Sequence, residues 1–233
     1  AEILKSEIIN NTAKSVDYGS ITGGAIYNTN ELTISDTTIN NNTGTANNDA
    51  LIVGGAIYNT GTTTIKNSNI TSNKAQGNDT VNILAGAIYN NNQLQIIDSS
   101  INSNLAIAGE NSNVAGGALY NLGTETITNS KISNNIAQGE ANTDIKGGAI
   151  YNNGTLELNS STVSDNTIET NGTGEGGAIY NNTNGTITIK NSNIANNKIS
   201  TSAQNSEGGG IYTSGNIIIE NSNFENNLTS NGE

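Results

Sequence analysis

Gly23-Gly24-Ala25-Ile26-Tyr27-Asn28 is the stretch of sequence that decides the fold, because close variants of it return along the whole chain. Its tyrosine recurs after 31 residues four times and then after 29 and 32 residues. The tyrosines of this motif are Tyr27, Tyr58, Tyr89, Tyr120, Tyr151, Tyr180 and Tyr212. A fixed period of this length indicates one supersecondary unit stacked on itself. The sequence therefore predicts a solenoid of about seven coils.

A second motif runs in phase with the first and consists of an apolar residue followed three positions later by asparagine. It appears eight times, from Ile8/Asn11 to Phe224/Asn227. After Asn11, its asparagines are Asn42, Asn73, Asn104, Asn135, Asn166, Asn197 and Asn227. An amide at the same position of every coil favours an internal ladder, in which each side chain bonds to the one in the next coil.

Short segments between the two motifs alternate between apolar and polar residues, as in Leu32-Thr33-Ile34, and this period of two is typical of strands. Together with the two motifs they predict three short strands per coil. Ile34 and Ile39 can both face inward only if the chain bends between them, and Asp36 is suited to that bend. We therefore expect an all-β fold, a right-handed parallel β-helix with three strands per coil and about seven coils of 31 residues. The hand follows from the crossover rule for parallel strands.

The repeat covers residues 1–233 without a break, which predicts a single β-helix domain and no second one. The coils begin near Gly23, Gly54, Ala85, Gly116, Gly147, Gly176 and Gly208.

The amino-acid composition limits the partners that the protein could bind and the reactions that it could catalyse. The net charge is −12, and all eight cations are scattered lysines, which argues against a nucleic acid or an anionic membrane as partner. No apolar run is long enough to span a bilayer. Cysteine is absent, so no disulfide or thiolate metal site is expected. Histidine and arginine are absent too, and we expect no enzymatic activity and no catalytic residue.

The two motifs carry a resemblance to a known group of proteins. Gly23-Gly24-Ala25-Ile26 and Phe224-Glu225-Asn226-Asn227 resemble the GGAI and FxxN repeats of polymorphic outer-membrane autotransporter passengers and of adhesin-like β-helix surface proteins. Most copies depart from that pattern by having Ile or Val in place of Phe, and Ala85 replaces the first glycine of one coil. The resemblance implies an extracellular or cell-surface location and an adhesive or structural role, and it carries over no catalytic residue.

The seven motif tyrosines are the candidate binding face. If Ile26 faces the core, alternation points Tyr27 outward and aligns the phenol rings along the rod. Such a strip would bind sugar rings or another protein, or its rings would stack on one another and stiffen the rod. The opposite orientation, with Tyr27 inward, is left open.

The connections before each glycine pair hold a further apolar rank, seen at Ile21 and Ile52, and are expected to form a small side ridge. The same connections hold carboxylates, at Asp17, Asp49, Asp79, Glu110, Glu140 and Asp144. No cofactor is expected. Carboxylates stacked in this way would suit Ca²⁺, but their register drifts from coil to coil, which favours a solvated acidic face.

Several functions are compatible with these observations. The favoured one is a non-enzymatic structural or adhesive rod, whose partner is a host or neighbouring-cell glycan or protein. Polysaccharide binding or degradation is the alternative, and ice binding by the broken Thr-x-Thr pattern at Thr62/Thr64 is a minor one. Both ends of the sequence lie in the same part of the repeat. That predicts either a segment of a longer β-helix or a subunit that stacks end to end into a filament.

Overall fold

The computed structural model describes residues 1–202 and 206–231 and is a parallel β-solenoid of about seven turns. The described residues contain 37 strands and no helix. The strands form five parallel sheets, in which each strand pairs with its counterpart in the previous and the next coil. Ile70, for example, pairs with both Ile39 and Ile101. The predicted all-β solenoid is therefore confirmed.

We number the sheets in the order in which the chain enters them. Sheet 1 contains Glu2–Leu4, Glu31–Ser35, Thr62–Lys66, Gln93–Ile97, Thr124–Thr128, Thr155–Asn159, Thr186–Lys190 and Asn216–Glu220. Sheet 2 contains Glu7–Ile9, Thr38–Asn40, Asn69–Thr71, Ser100–Asn102, Lys131–Ser133, Thr162–Ser164, Asn193–Ala195 and Asn223–Glu225. Sheet 3 contains Thr12–Lys14, Thr43–Ala46, Lys74–Gly77, Leu105–Ala108, Ile136–Gly139, Thr167–Thr170, Lys198–Thr201 and Leu228–Asn231.

The two remaining sheets lie on either side of the glycine pair. Sheet 4 contains Ser20–Thr22, Leu51–Val53, Asn82–Leu84, Asn113–Ala115, Asp144–Lys146 and Gly174–Glu175. Sheet 5 contains Ile26–Asn28, Ile57–Asn59, Ile88–Asn90, Leu119–Asn121, Ile150–Asn152, Ile179–Asn181 and Ile211–Thr213.

The expectation of three strands per coil is wrong, because a full coil has five. The missed strands are those of sheets 3 and 4, which lie in the segment expected to be a connection. Sheet 3 turns small residues such as Gly44 and Ala75 inward, and such residues give only a weak apolar signal. The rank that begins with Ile21 and Ile52 belongs to sheet 4 and is buried.

The interior consists of two hydrophobic clusters. The larger lies within sheets 1, 2 and 5 and includes Ile34, Ile39 and their equivalents. The smaller lies within sheets 3 and 4 and is built around Ile52, Ile83 and Ala106. Each coil therefore has a large lobe and a small lobe.

The backbones on the two sides of a coil approach each other between the lobes, at the second glycine of the motif, and we call this narrowing the waist. A Cβ on Gly55 would lie 2.1 Å from the carbonyl oxygen of Gly86 and 2.8 Å from the backbone of Lys74 at the start of a sheet 3 strand. No real Cβ fits at such distances, so the approach of the two backbones requires glycine. The second glycine of each pair therefore allows the backbone to approach sheet 3 and close the large lobe.

The corners between sheets 1 and 2, sheets 2 and 3, and sheets 4 and 5 each contain one residue with positive φ. The predicted bend at Asp36 is confirmed by its φ of 52°, and its equivalents adopt the same conformation. Asn, Asp and Gly tolerate this region best. At the corner between sheets 4 and 5, Ala85 has a φ of 71° where the other coils have glycine. This corner of the third coil is therefore locally strained.

Candidate functional site

The seven motif tyrosines form one continuous stack along the outside of sheet 5. Ile57 and Asn59 on either side of Tyr58 are buried, so alternation places the ring on the outer face. Neighbouring ring centroids lie 4.5–5.3 Å apart, and the ring planes are within 15° of parallel. The orientation that the sequence left open is therefore outward.

Stacking determines which parts of the rings a ligand could reach. The rings between Tyr27 and Tyr212 have a neighbouring ring against each face. Tyr27, at one end of the stack, is 60% exposed, whereas Tyr89 and Tyr180 are 8% and 6% exposed. A flat sugar needs an open ring face, so most of this strip presents only ring edges and hydroxyl groups. The geometry favours the stiffening role over sugar stacking.

Burial also affects the ionisation of these phenols. Burial, and then the neighbouring Tyr58, raises the pKa of Tyr89. Burial is likewise the main cause that raises the pKa values of Tyr120 and Tyr151. Tyr89, Tyr120 and Tyr151 are thus uncharged over the physiological range.

A cation lies beside the sixth ring of the stack. The Lys146 ammonium lies 5.1 Å from the centroid of the Tyr180 ring and 3.8 Å from a carboxylate oxygen of Glu175. Tyr151 and Tyr212 cover both faces of the Tyr180 ring, so the ammonium does not lie on an open ring face. The ion pair with Glu175 is partly exposed and contributes little to stability.

The asparagines of the second motif form an amide ladder beside the waist. In each coil the Nδ2 atom donates to the Oδ1 atom of the next asparagine at 2.8–3.0 Å, from Asn11 to Asn227. The same Oδ1 also accepts from a backbone N–H one coil earlier, as Asn104 Oδ1 does from Asn73 N at 3.0 Å. The ladder runs through every coil and joins neighbouring coils at each step.

A second amide ladder, which the sequence analysis did not predict, runs along sheet 5. It is formed by the asparagine that follows each motif tyrosine: Asn28, Asn59, Asn90, Asn121, Asn152 and Asn181. Its Nδ2–Oδ1 distances are 2.8–2.9 Å, and Thr213 accepts from Asn181 in the last coil. The signal was present, because six of the seven tyrosine motifs are followed by asparagine, and an amide that recurs in this way favours a ladder as it does in the other motif.

The acidic residues of the sheet 3 to sheet 4 connections bond to neighbouring coils instead of converging. Asp17 Oδ1 accepts from Asn48 N at 3.2 Å, and Asp79 Oδ1 accepts from Glu110 N at 2.9 Å. Within residues 1–202 and 206–231, no three acidic side chains are grouped so that they could hold a metal ion. Ca²⁺ binding by the acidic residues of these connections stays a prediction without a defined ligand set.

Shallow polar hollows lie along the outer face of sheet 3. One of about 450 Å³ is lined by Gln138, Glu140, Glu169 and Asn171, and another of about 300 Å³ by Gln76, Asp79, Ile107 and Glu140. Glu140 borders both, so the two are adjacent, and we refer to them together as the groove on sheet 3.

Comparisons with known proteins identified no relative: no family model, no curated protein and no solved structure matches this chain. The part of the chain that the structure describes has no helix long and apolar enough to cross a membrane.

Proposed function

We propose that this protein is a non-enzymatic structural and adhesive rod of an extracellular or cell-surface location, with the right hand that the crossover rule favours. The observation that supports the proposal is that the same contacts continue from coil to coil along the chain. Two amide ladders and one tyrosine stack pass from coil to coil, and each link repeats the one before it. Repeated contacts of this kind stabilise an elongated stack of coils. They do not by themselves form a binding or catalytic site in any one coil.

The partners in this proposal are of two kinds. Further coils, from a longer chain or a second copy, would continue the five sheets along the axis. A surface glycan or protein would contact the sides of the rod. The resemblance to adhesin-like β-helix repeats supports this assignment.

Polysaccharide binding is a second candidate, supported by the groove on sheet 3. Its lining combines the amides of Gln76 and Gln138 with the carboxylates of Glu140 and Glu169, side chains that hydrogen-bond hydroxyl groups. This acidic lining would favour neutral glycans over anionic ones.

Incubation of the purified protein with a panel of neutral and acidic polysaccharides tests the proposal. We expect that products of depolymerisation do not form, and that electron microscopy of the same sample shows rods. Reproducible cleavage that a single substitution abolishes would overturn the non-enzymatic assignment. Retention on a neutral glycan without cleavage would favour the second candidate.

A further inference from the structure

Glu125 interrupts the apolar interior of the fourth coil. It lies on the sheet 1 strand Thr124–Thr128 and is 1% exposed. In the other coils the equivalent position holds an aliphatic residue or threonine: Leu32, Thr63, Leu94, Leu156, Ile187 and Ile217. Glu125 is the one residue at this position that can carry a charge.

The carboxyl group has no polar partner. Neither Oε1 nor Oε2 of Glu125 has a hydrogen bond to any described residue, and these are the only buried side-chain polar atoms of the described chain in that condition. In the second coil, by contrast, Thr63 Oγ1 donates to Asn59 Oδ1 at 2.9 Å and accepts from Asn28 Nδ2 at 3.0 Å. A polar group at this position can therefore be satisfied, but Glu125 is not.

No charge compensates Glu125 from the strands around it. Its sheet 1 neighbours are Leu94 and Leu156. The titratable groups on the adjacent described strands lie on the outer face: Glu157 on sheet 1, Lys131 on sheet 2, and Tyr89, Tyr120 and Tyr151 on sheet 5. An ionised carboxylate in such surroundings is strongly unfavourable, whereas the neutral acid costs much less.

We propose that Glu125 is a pH-sensitive weak point built into the middle of the rod: the neutral acid is accommodated in the core, and its ionisation loosens the fourth coil from its two neighbours. Because each coil is held only by adjacent coils, a loss at this interface separates the solenoid into two cooperative halves. The rod is thus more resistant to unfolding in mildly acidic than in mildly alkaline solution.

The sign of the effect follows from linkage. Burial raises the pKa of Glu125 from 4.5 to about 8 in the folded protein. A raised carboxyl pKa means that the full stability is present below pH 4.5 and is progressively lost as the pH rises to about 8. Between pH 5 and pH 8 the unfolding equilibrium constant should rise about 400-fold through this group alone.

Denaturant unfolding of the wild type, E125Q and E125L between pH 5 and pH 8.5 tests the proposal. We expect the midpoint of the wild type to fall steeply with pH, and that of both variants to change much less. E125L copies the Leu94 and Leu156 environment and should be the most stable form at pH 8. The matched control is E157Q, because Glu157 is an outward-facing glutamate on the sheet 1 strand of the next coil. This variant should retain the steep pH dependence of the wild type.

A direct titration of the wild type keeps the test independent of the variants. The Glu125 carboxyl carbon, followed by NMR, should change its chemical shift near pH 8. A midpoint near 4.5, or parallel pH profiles for the wild type and E125L, would overturn the proposal.

Discussion

At the scale of single residues, the interior amides determine how the coils are joined. Asn104 donates to Ile70 O and Asn135 Oδ1, both at 3.0 Å, and accepts from the backbone and side chain of Asn73. It is completely buried. One side chain therefore satisfies buried polar groups of the coil before it and the coil after it.

We expect Asn104→Ala to destabilise the rod by about 3 kcal/mol, because it leaves several buried donors and acceptors without partners. Chemical denaturation at neutral pH measures this. Asn69→Ala is the control: Asn69 is an exposed asparagine in the second coil, and its substitution should change the free energy of unfolding by less than about 0.5 kcal/mol. Equal effects of the two substitutions would show that the ladder does not contribute to stability.

Asp36 and Glu125 differ in how clearly the sequence indicates their positions in the fold. The 31-residue spacing was enough to predict the bend at Asp36, because that position holds a turn-forming residue in every coil. Glu125 was missed in the sequence, although it lies 31 residues after Leu94 and 31 before Leu156, because glutamate after Thr124 looks like one more polar residue of an alternating strand. The strand pairing with Leu94 and Leu156 shows that it faces the core.

At the scale of the elements, each sheet is a set of short strands that no single coil could hold in place. Strands of sheet 2 have three residues, and their inward positions form one apolar column that includes Ile70, Ile101 and Ile132. The strands of sheets 1, 2 and 5 were recognisable from sequence. Sheet 3 was not, because its inward column is glycine and alanine in its first five strands, as at Gly44, Ala75 and Ala106. The aliphatic rank of sheet 4 was noticed, but it was assigned to a connection and not to a strand.

Substitution within a column should therefore weaken the whole stack. Ile101→Asp places an unpaired carboxylate in the core at a cost of several kcal/mol, and we expect a large fall in the thermal unfolding midpoint. Ser100→Asp, on the outer face of the same strand opposite Lys131, should change it little. An unchanged midpoint for the Ile101 variant would contradict its interior position.

At the scale of the whole molecule, nearly all contacts between coils join equivalent positions. Strand pairs, amide ladders and the tyrosine stack all connect a residue to the one about 31 positions away. Stability is then the sum of similar interfaces between neighbours. Among residues 1–202 and 206–231, the hydrogen bonds and strand pairs between coils join neighbouring coils only, so they do not fix the number of coils.

Deletion of residues 54–84, one complete coil, should therefore give a folded rod. It would be shorter by about 4.8 Å, the spacing of paired strands, because Tyr27 would meet Tyr89 and Asn42 would meet Asn104. Small-angle scattering measures the length, and circular dichroism measures the β content. Deletion of residues 54–83 is the matched control, since a slip of one residue turns the inward side chains of the junction outward. If both deletions unfold, coils are not interchangeable.

The in-register pairing of equivalent positions also has a consequence for inheritance. Recombination between two neighbouring repeats of the gene removes or adds a whole number of coils, and each product keeps the waist, the ladders and the stack aligned. Rod length could thus vary among descendants in single steps, without any compensating substitution elsewhere in the chain. The coil that carries Glu125 would be an exception, because its loss would remove a property that no other repeat encodes.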